Sequence, residues 1–97
     1  MKSINMDTFL KLNRIKKLNL IDIRSEQQYR QGTIDNAVNI EAYELINNPV
    51  KHLNFDDEYF IFCEYGYTSK NVAYVLTNYG YNIINITGGY HYYKQKR

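Results

Sequence analysis

The feature that most constrains this chain is a single cysteine between an apolar strand and an amphipathic helix. Cys63 is the only cysteine in 97 residues, and the aromatic and aliphatic residues 59–62 lead directly into it, as in a buried strand. A short loop containing Gly66 follows. Apolar residues then recur at helical spacing over residues 69–80. Ser69 is the predicted N-cap of this helix and Gly80 its predicted C-terminal stop.

This order of strand, cysteine, loop and helix has a chemical consequence for the thiol. A tight loop that enters a helix directs several backbone N–H groups at one point, beside the positive end of the helix dipole. A sulfur atom held there is biased toward the thiolate, which is the nucleophilic form. A free cysteine without such a context is often buried and inert. The loop therefore favours a reactive role for Cys63 over a purely structural one.

The remaining residues predict strands that alternate with short helices, as is typical of an α/β fold with a mostly parallel sheet. We expect further strands at residues 3–5, 18–24, 37–40 and 82–86. We expect further helices at residues 6–13, 25–31, 41–48 and from Tyr90 onward, with polar connectors at residues 13–17 and 52–57.

The ends of two predicted strands mark the expected site. In parallel sheets, ligands bind beyond the carboxyl ends of the strands, where the strand order reverses. Cys63 ends one strand, and residues 22–24 end another. For Asp22 we favour a local role in accepting turn N–H groups. For Arg24, a surface arginine and a site residue are equally supported.

Composition excludes several classes of function. A chain of 97 residues provides one core rather than two. A net charge of +2 is too small to indicate nucleic-acid binding, and the 11 tyrosines are spread along the chain without clustered basic residues. No apolar run approaches membrane-spanning length, and the first residues do not resemble a signal peptide. The lone cysteine fits a reducing cytoplasm, and no metal-ligand spacing occurs.

Several stretches, in order, resemble the rhodanese-like (sulfurtransferase) domain family. Residues 20–24 resemble its Asp-x-Arg element, and residues 32–40 resemble its Gly-His-Ile-x-Gly-Ala-x-Asn-Ile element. Residues 62–69 resemble its Cys-x-x-Gly-x-Arg-Ser loop, and residues 80–89 resemble its Leu-x-Gly-Gly element. Tyr93 lies where a tryptophan is usual. The resemblance implies one rhodanese-like domain over residues 1–97. Its expected fold has three α/β/α layers and a five-stranded, mostly parallel sheet in the order 3-2-4-5-1.

Five positions depart from the family pattern. Thr33 replaces a histidine, Asn36 a glycine, Gln28 a glutamate and Thr68 the loop arginine, whereas Glu64 adds an acid beside the cysteine. Asparagine tolerates the left-handed conformation that a glycine would adopt at residue 36. The loop itself has no cation to bind a dianion such as thiosulfate. We therefore expect a polysulfide or persulfide donor in preference to thiosulfate.

The resemblance implies a sulfurtransferase in which Cys63 carries a sulfane sulfur as a persulfide. Its acceptor would be a thiol or another nucleophile, and a persulfidated protein is an alternative donor. No cofactor, metal, nucleic acid or membrane is expected, and the sequence does not predict an oligomeric state. The hydroxyls of Tyr65, Tyr67 and Thr68 are interpreted mainly as loop-packing groups. The predicted substrate-binding residues are Arg24, Glu64, Tyr65, Gly66, Tyr67, Thr68 and Ser69.

Two other functions remain open. The chain could be a non-catalytic rhodanese-like module that binds or regulates a protein, although such a module has no need of the cysteine. A phosphatase on the same fold is disfavoured, because the loop of that class is one residue longer and ends in an arginine that Thr68 and Ser69 cannot replace.

Overall fold

The computed structural model describes residues 1–96, and Arg97 at the end of the predicted terminal helix lies outside the described residues. Within residues 1–96, five strands and six helices alternate along most of the chain. The strands are β1 (Lys2–Asn5), β2 (Leu20–Asp22), β3 (Val38–Asn39), β4 (Glu58–Phe62) and β5 (Asn82–Thr87). The helices are α1 (Met6–Ile15), α2 (Glu26–Gln31), α3 (Ala42–Asn47), α4 (Pro49–His52), α5 (Tyr67–Asn78) and α6 (Gly89–Gln95).

The strands form one parallel sheet in the order β1-β5-β4-β2-β3. This confirms the expected strand order. From β2 the chain goes on to β3 at one edge of the sheet, whereas from β4 it goes on to β5 on the opposite side. The strand order therefore reverses between β2 and β4, which are neighbours. Asp22 pairs with Phe62 at their carboxyl ends. Residues that follow β2 and β4 are therefore brought together at this edge.

Alternation along the strands divides the core into two layers, one on each face of the sheet. Ile61 of β4 packs with Leu45 of α3 and Leu76 of α5 on one face. Phe62 packs with residues of α1 and α6, such as Phe9, on the other. Helices thus cover both faces, which confirms the three-layer α/β/α fold. Within residues 1–96, none of the helices is long and apolar enough to cross a bilayer.

Local sequence explains where several helices begin. Asn5 caps α1 by accepting a hydrogen bond from the Thr8 N–H at 2.8 Å. Ser25 and Gln28 form a reciprocal capping box at α2, so glutamine fulfils the role expected there. Asn36 has a φ of 62°, which confirms the expectation that asparagine adopts the left-handed conformation at that position.

Several predicted bounds were wrong, and one helix was missed. The helix α1 continues to Ile15, although residues 13–17 are polar and were expected to be a connector. The strand β2 is shorter than the predicted span 18–24. The helix α4 was not predicted at all. Pro49 was interpreted only as the end of the preceding helix, whereas it also begins α4, where its missing N–H leaves no hydrogen bond unmade.

Candidate active site

Cys63 follows β4 directly, and its sulfur lies at the entrance to α5. The residue is 6% exposed. Its Sγ accepts hydrogen bonds from the N–H of Gly66 at 3.1 Å and from the N–H of Ser69 at 3.2 Å. Within residues 1–96, these are the two backbone donors that reach the sulfur. Two of the residues predicted for substrate binding thus direct backbone N–H groups at the cysteine sulfur, as the sequence predicted for this loop.

Ser69 is not the N-cap that the sequence predicted. The helix α5 begins at Tyr67, two residues earlier, and Gly66 is its N-cap with a φ of 96°. A side chain is strained at that φ, which explains the need for glycine. Ser69 is instead fully buried in the first turn, and its Oγ lies 3.2 Å from Cys63 Sγ. The hydroxyl of this serine therefore faces the sulfur rather than a helix end.

The carbonyl groups of the cysteine loop are held by the beginning of α6. The N–H groups of Tyr90 and His91 donate to the carbonyl oxygens of Cys63 and Glu64, each at 2.9 Å. Gly89, at a φ of 65°, lies so close to both carbonyls that an added Cβ would overlap them. The Gly-Gly turn, read in the sequence only as a turn, therefore allows α6 to fix the orientation of the loop peptides.

Arg24 is buried at the cysteine loop, which rules out the surface arginine, one of the two alternatives that the sequence left open. Its side chain is 4% exposed and pairs with Asp22 at 2.8 Å and with Glu64 at 3.1 Å. It also donates to the Gly32 carbonyl at 2.7 Å. The loop thus has a neighbouring cation, which its own sequence lacks, because β2 and β4 are adjacent. Glu64 faces this arginine rather than being free to repel an anion.

The Arg24 guanidinium is largely committed to these partners. Burial acts to lower the pKa of Arg24, but the hydrogen bonds and charges of Asp22 and Glu64 prevail and raise it above its ordinary value. Four of its five N–H groups donate to protein atoms, which leaves one on Nη1 without a partner within residues 1–96. One cation with two carboxylates gives this cluster a net charge of −1. Asp22 also accepts from the Arg24 N–H at 3.0 Å, as expected for a turn.

The exposed loop residues do not pack as expected. Tyr65 and Tyr67 are 57% and 78% exposed, and Thr68 is exposed as well. Tyr67 and Thr68 are the first two residues of α5, and their side chains face solvent. Tyr65 contacts the His91 ring, with 5.0 Å between the ring centroids. The interpretation as loop-packing groups was therefore wrong for Tyr67 and Thr68, whereas Tyr65 makes a packing contact with α6.

Two clefts adjoin the loop. One, of about 390 Å³, is lined by Arg24, Glu64, Tyr65 and Lys94, among others. The other, of about 420 Å³, is lined by Tyr65, Gly66, Tyr67 and Asn85, among others. The predicted residues thus gather around the loop, and Arg24 as a substrate contact stays a prediction. Among residues 1–96, no group of three or more His, Cys, Asp or Glu side chains could hold a metal ion.

Sequence reasoning missed Asn85, whose Oδ1 lies 2.6 Å from Ser69 Oγ. Asn85 is 2% exposed in the middle of β5. The available signal was a polar residue inside the apolar run of residues 83–86. It was read only as part of a strand, because sequence spacing does not show which strand lies beside the cysteine loop.

Comparison with known proteins gives a consistent result. A model described as "Rhodanese-like domain" matches residues 5–96. The chain is 33% identical over 79 residues to "Putative sulfurtransferase YtwF" of Bacillus subtilis, an alignment that covers 81% of this chain and 76% of that protein. It is 23% identical over 90 residues to "Thiosulfate sulfurtransferase GlpE" of Shewanella oneidensis, covering 92% and 88%. The crystal structure of a rhodanese-like domain protein from Staphylococcus aureus is 29% identical, with a TM-score of 0.85 and coverage of 96% and 91%.

Proposed function

The chain belongs to the rhodanese-like domain family, in which it has relatives named as sulfurtransferases, and from this premise we propose that it carries sulfane sulfur as a persulfide on Cys63. The donor is a polysulfide or persulfide in preference to thiosulfate, and the acceptor is a thiol or another nucleophile. The observation that carries the proposal is the convergence of the Gly66 and Ser69 N–H groups on Cys63 Sγ, at 3.1 and 3.2 Å. A lone cysteine is compatible with a reducing compartment, and the cytoplasm is the location that we propose.

The reaction proceeds as two displacements at sulfur. The Cys63 thiolate attacks the outer sulfur of a donor R–S–SH. A new S–S bond forms while the donor S–S bond breaks, and the electron pair leaves with the donor thiolate R–S⁻. An acceptor thiolate R′–S⁻ then attacks the outer sulfur of Cys63–S–SH. This produces R′–S–SH and returns the Cys63 thiolate, so the cycle needs no added oxidant or reductant.

The loop stabilises the charged sulfur in both steps. N–H groups positioned before the reaction act as an oxyanion hole does, because they need no rearrangement as charge develops. Removing one such donor typically reduces turnover by about 10²–10³-fold. The hydrogen bonds from the N–H groups of Tyr90 and His91 support this role, because they hold the carbonyl groups of Cys63 and Glu64 and so fix the peptide groups of the loop.

The charges around the loop decide the donor. Asp22 and Glu64 pair with Arg24, and Lys94 lines the same cleft, so two cations and two carboxylates leave the site without a net positive charge. Thr68 has a neutral side chain at the position where an arginine would bind a dianion such as thiosulfate. Without a net positive charge at this site, the thiosulfate dianion gains no electrostatic advantage over a persulfide monoanion. The name of the Shewanella oneidensis relative refers to thiosulfate use by that protein.

The donor argument can be tested by kinetics with cyanide as the acceptor. We expect the wild type to use polysulfide with a higher kcat/KM than thiosulfate, and Cys63→Ser to use neither. Thr68→Arg should raise kcat/KM for thiosulfate about tenfold, since about 1.4 kcal/mol of added attraction gives that factor. Thr68→Gln provides a neutral side chain of comparable reach as the matched control. Equal thiosulfate turnover in these two variants would remove the charge argument.

A binding or regulatory module is the second candidate, and a specific observation favours it. Cys63 is only 6% exposed, whereas Tyr65 and Tyr67 beside it are largely exposed. Exposed aromatic side chains are common in protein interfaces. If neither donor adds sulfur to Cys63 while an alkylating agent still modifies it, the module is the better explanation. A persulfidated protein as donor would reconcile the two roles, because such a donor would have to dock on this surface.

A further inference from the structure

Asn85 is a buried polar residue that the proposed chemistry does not yet use. It is 2% exposed in β5, between Ile84 and Ile86, which belong to the apolar core. Burying an amide is unfavourable unless its polar atoms find partners. The one hydrogen-bond partner of the Asn85 side chain among residues 1–96 is the Ser69 hydroxyl, at 2.6 Å from Oδ1. Asn85 therefore occupies a buried strand position that would suit isoleucine, and its side chain contacts Ser69, which in turn contacts the Cys63 sulfur.

The Ser69 hydroxyl has one proton and three neighbouring acceptors. Its Oγ lies 2.6 Å from Asn85 Oδ1, 3.2 Å from Cys63 Sγ and 3.3 Å from the Gly66 carbonyl oxygen. The shortest of these contacts takes the proton to Asn85. Cys63 S–H then donates to the Ser69 oxygen. In this arrangement the hydrogen bonds match a neutral thiol.

The opposite arrangement is available to the Asn85 amide. Its oxygen and its NH₂ group have nearly the same shape, so the amide can turn over in place. Among residues 1–96, the hydrogen bond of the Asn85 amide is made by Oδ1 and none is made by Nδ2. Asn85 borders the cleft of about 420 Å³, and Nδ2 is not among the buried side-chain atoms that lack a partner. Turning it over therefore breaks no protein hydrogen bond of Nδ2. The NH₂ group would then donate to Ser69, and the Ser69 proton would be free to donate to a Cys63 thiolate.

We propose that Asn85 is a positioning residue that sets the direction of the Ser69 hydroxyl. Its oxygen faces Ser69 when Cys63 is a thiol, and its NH₂ group faces Ser69 when the sulfur is a thiolate or a persulfide anion. The thiol proton leaves to solvent during this exchange. Asn85 thus lets one hydroxyl serve both forms of the sulfur. The inference rests on Cys63 as the reactive thiol of the proposed function.

The test is the pH profile of Cys63 alkylation by iodoacetamide, which reacts with the thiolate. Asn85→Leu keeps a similar size, removes both amide groups and adds no charge. We expect it to lower the pH midpoint of alkylation by about half a unit to one unit, because the Ser69 hydroxyl loses the oxygen to which it donates beside the thiol and can donate to the Cys63 sulfur instead. This is about threefold to tenfold more thiolate below the midpoint. Asn82→Leu makes the same change at the first residue of β5 and should leave the pH midpoint of alkylation unchanged. In a Ser69→Ala background, Asn85→Leu should no longer shift it.

Two results would overturn the inference. The first is an unchanged midpoint in folded Asn85→Leu. The second is an equal shift without the Ser69 hydroxyl, which would mean that Asn85 acts by polarity alone. If Asn85→Leu does not fold, the side-chain amide NMR signals of Asn85 in the wild type replace it. They should move as the pH passes the alkylation midpoint and should stay still in Ser69→Ala, and signals that do not move in the wild type would refute the proposal.

This outcome is separable from that of the proposed function. Sulfur uptake by Cys63 can be followed by intact mass in the same variants. An unchanged midpoint in a protein that still gains sulfur contradicts only the role of Asn85. A shifted midpoint in a protein that never gains sulfur contradicts only the sulfurtransferase.

Discussion

Replacing Gly89 with alanine tests whether the turn before α6 holds the cysteine loop in its active form. Gly89 has a φ of 65°, and its Cβ would lie 2.6 Å from the Cys63 carbonyl oxygen and closer still to that of Glu64. Carbon and oxygen atoms that are not bonded do not approach so closely, so the loop and the turn must separate. That movement would break the hydrogen bonds from Tyr90 and His91 that hold the two carbonyls.

The expected cost follows from two terms. A left-handed conformation costs alanine about 1–2 kcal/mol. Losing two backbone hydrogen bonds adds about 1–3 kcal/mol, at about 0.5–1.5 kcal/mol each. The free energy of unfolding should therefore fall by about 2–5 kcal/mol. A typical domain is stable by about 5–15 kcal/mol, so the variant should remain folded at 25 °C.

Gly80→Ala is the matched control, because Gly80 also has a positive φ, of 103°. Its Cβ would meet only the Phe55 ring, at an ordinary 3.4 Å. It should cost at least about 1–2 kcal/mol, from backbone strain alone. Urea unfolding gives both free energies, and sulfur uptake is then compared at equal folded fraction. Gly89→Ala should take up sulfur at least tenfold more slowly than Gly80→Ala. Equal stability and equal rates in the two variants would refute the idea that this turn orients the loop.

Two further predictions concern charged groups. Arg24→Met should lower the free energy of unfolding by about 3–5 kcal/mol in urea titration, because it leaves the fully buried Asp22 carboxylate without its paired cation. Arg30→Met, which removes an exposed ion pair, is the control and should lower it by less than about 0.5 kcal/mol. The hydrogen bond with His52 lowers the pKa of Glu44 below its usual 4.5, so the ionised carboxylate stabilises the fold above that pH and ceases to do so as the pH falls. Glu44→Gln should therefore melt slightly below the wild type at pH 7 and together with it at pH 3, and a difference that persists at pH 3 would contradict this.

The sequence predicted the parts of the site that depend on local order. The strand before Cys63, the glycine loop and the amphipathic helix after it are contiguous, so hydrophobic spacing and turn residues were sufficient to find them. The strand order required the family resemblance, because neither spacing nor propensity specifies which parallel strands are adjacent. That order then explains why residues near Asp22 meet the cysteine loop.

The errors occurred where tertiary contacts decide the role of a residue. Ser69 has the chemistry of an N-cap, but Gly66 takes that position and the serine is used at the sulfur and Asn85. Arg24 is buried because Glu64, 40 residues later, faces it across two adjacent strands. Asn85 looked like an ordinary strand residue for the same reason. Such contacts join distant parts of the chain and leave little trace in local patterning.

The most direct test of the sulfurtransferase account is the intact mass of the protein after incubation with polysulfide. The account predicts that the wild type gains the mass of one sulfur atom, that cyanide or a thiol removes it, and that Cys63→Ser gains none. A wild type that gains no sulfur, or a Cys63→Ser variant that gains as much, would contradict the claim that Cys63 carries the transferred atom.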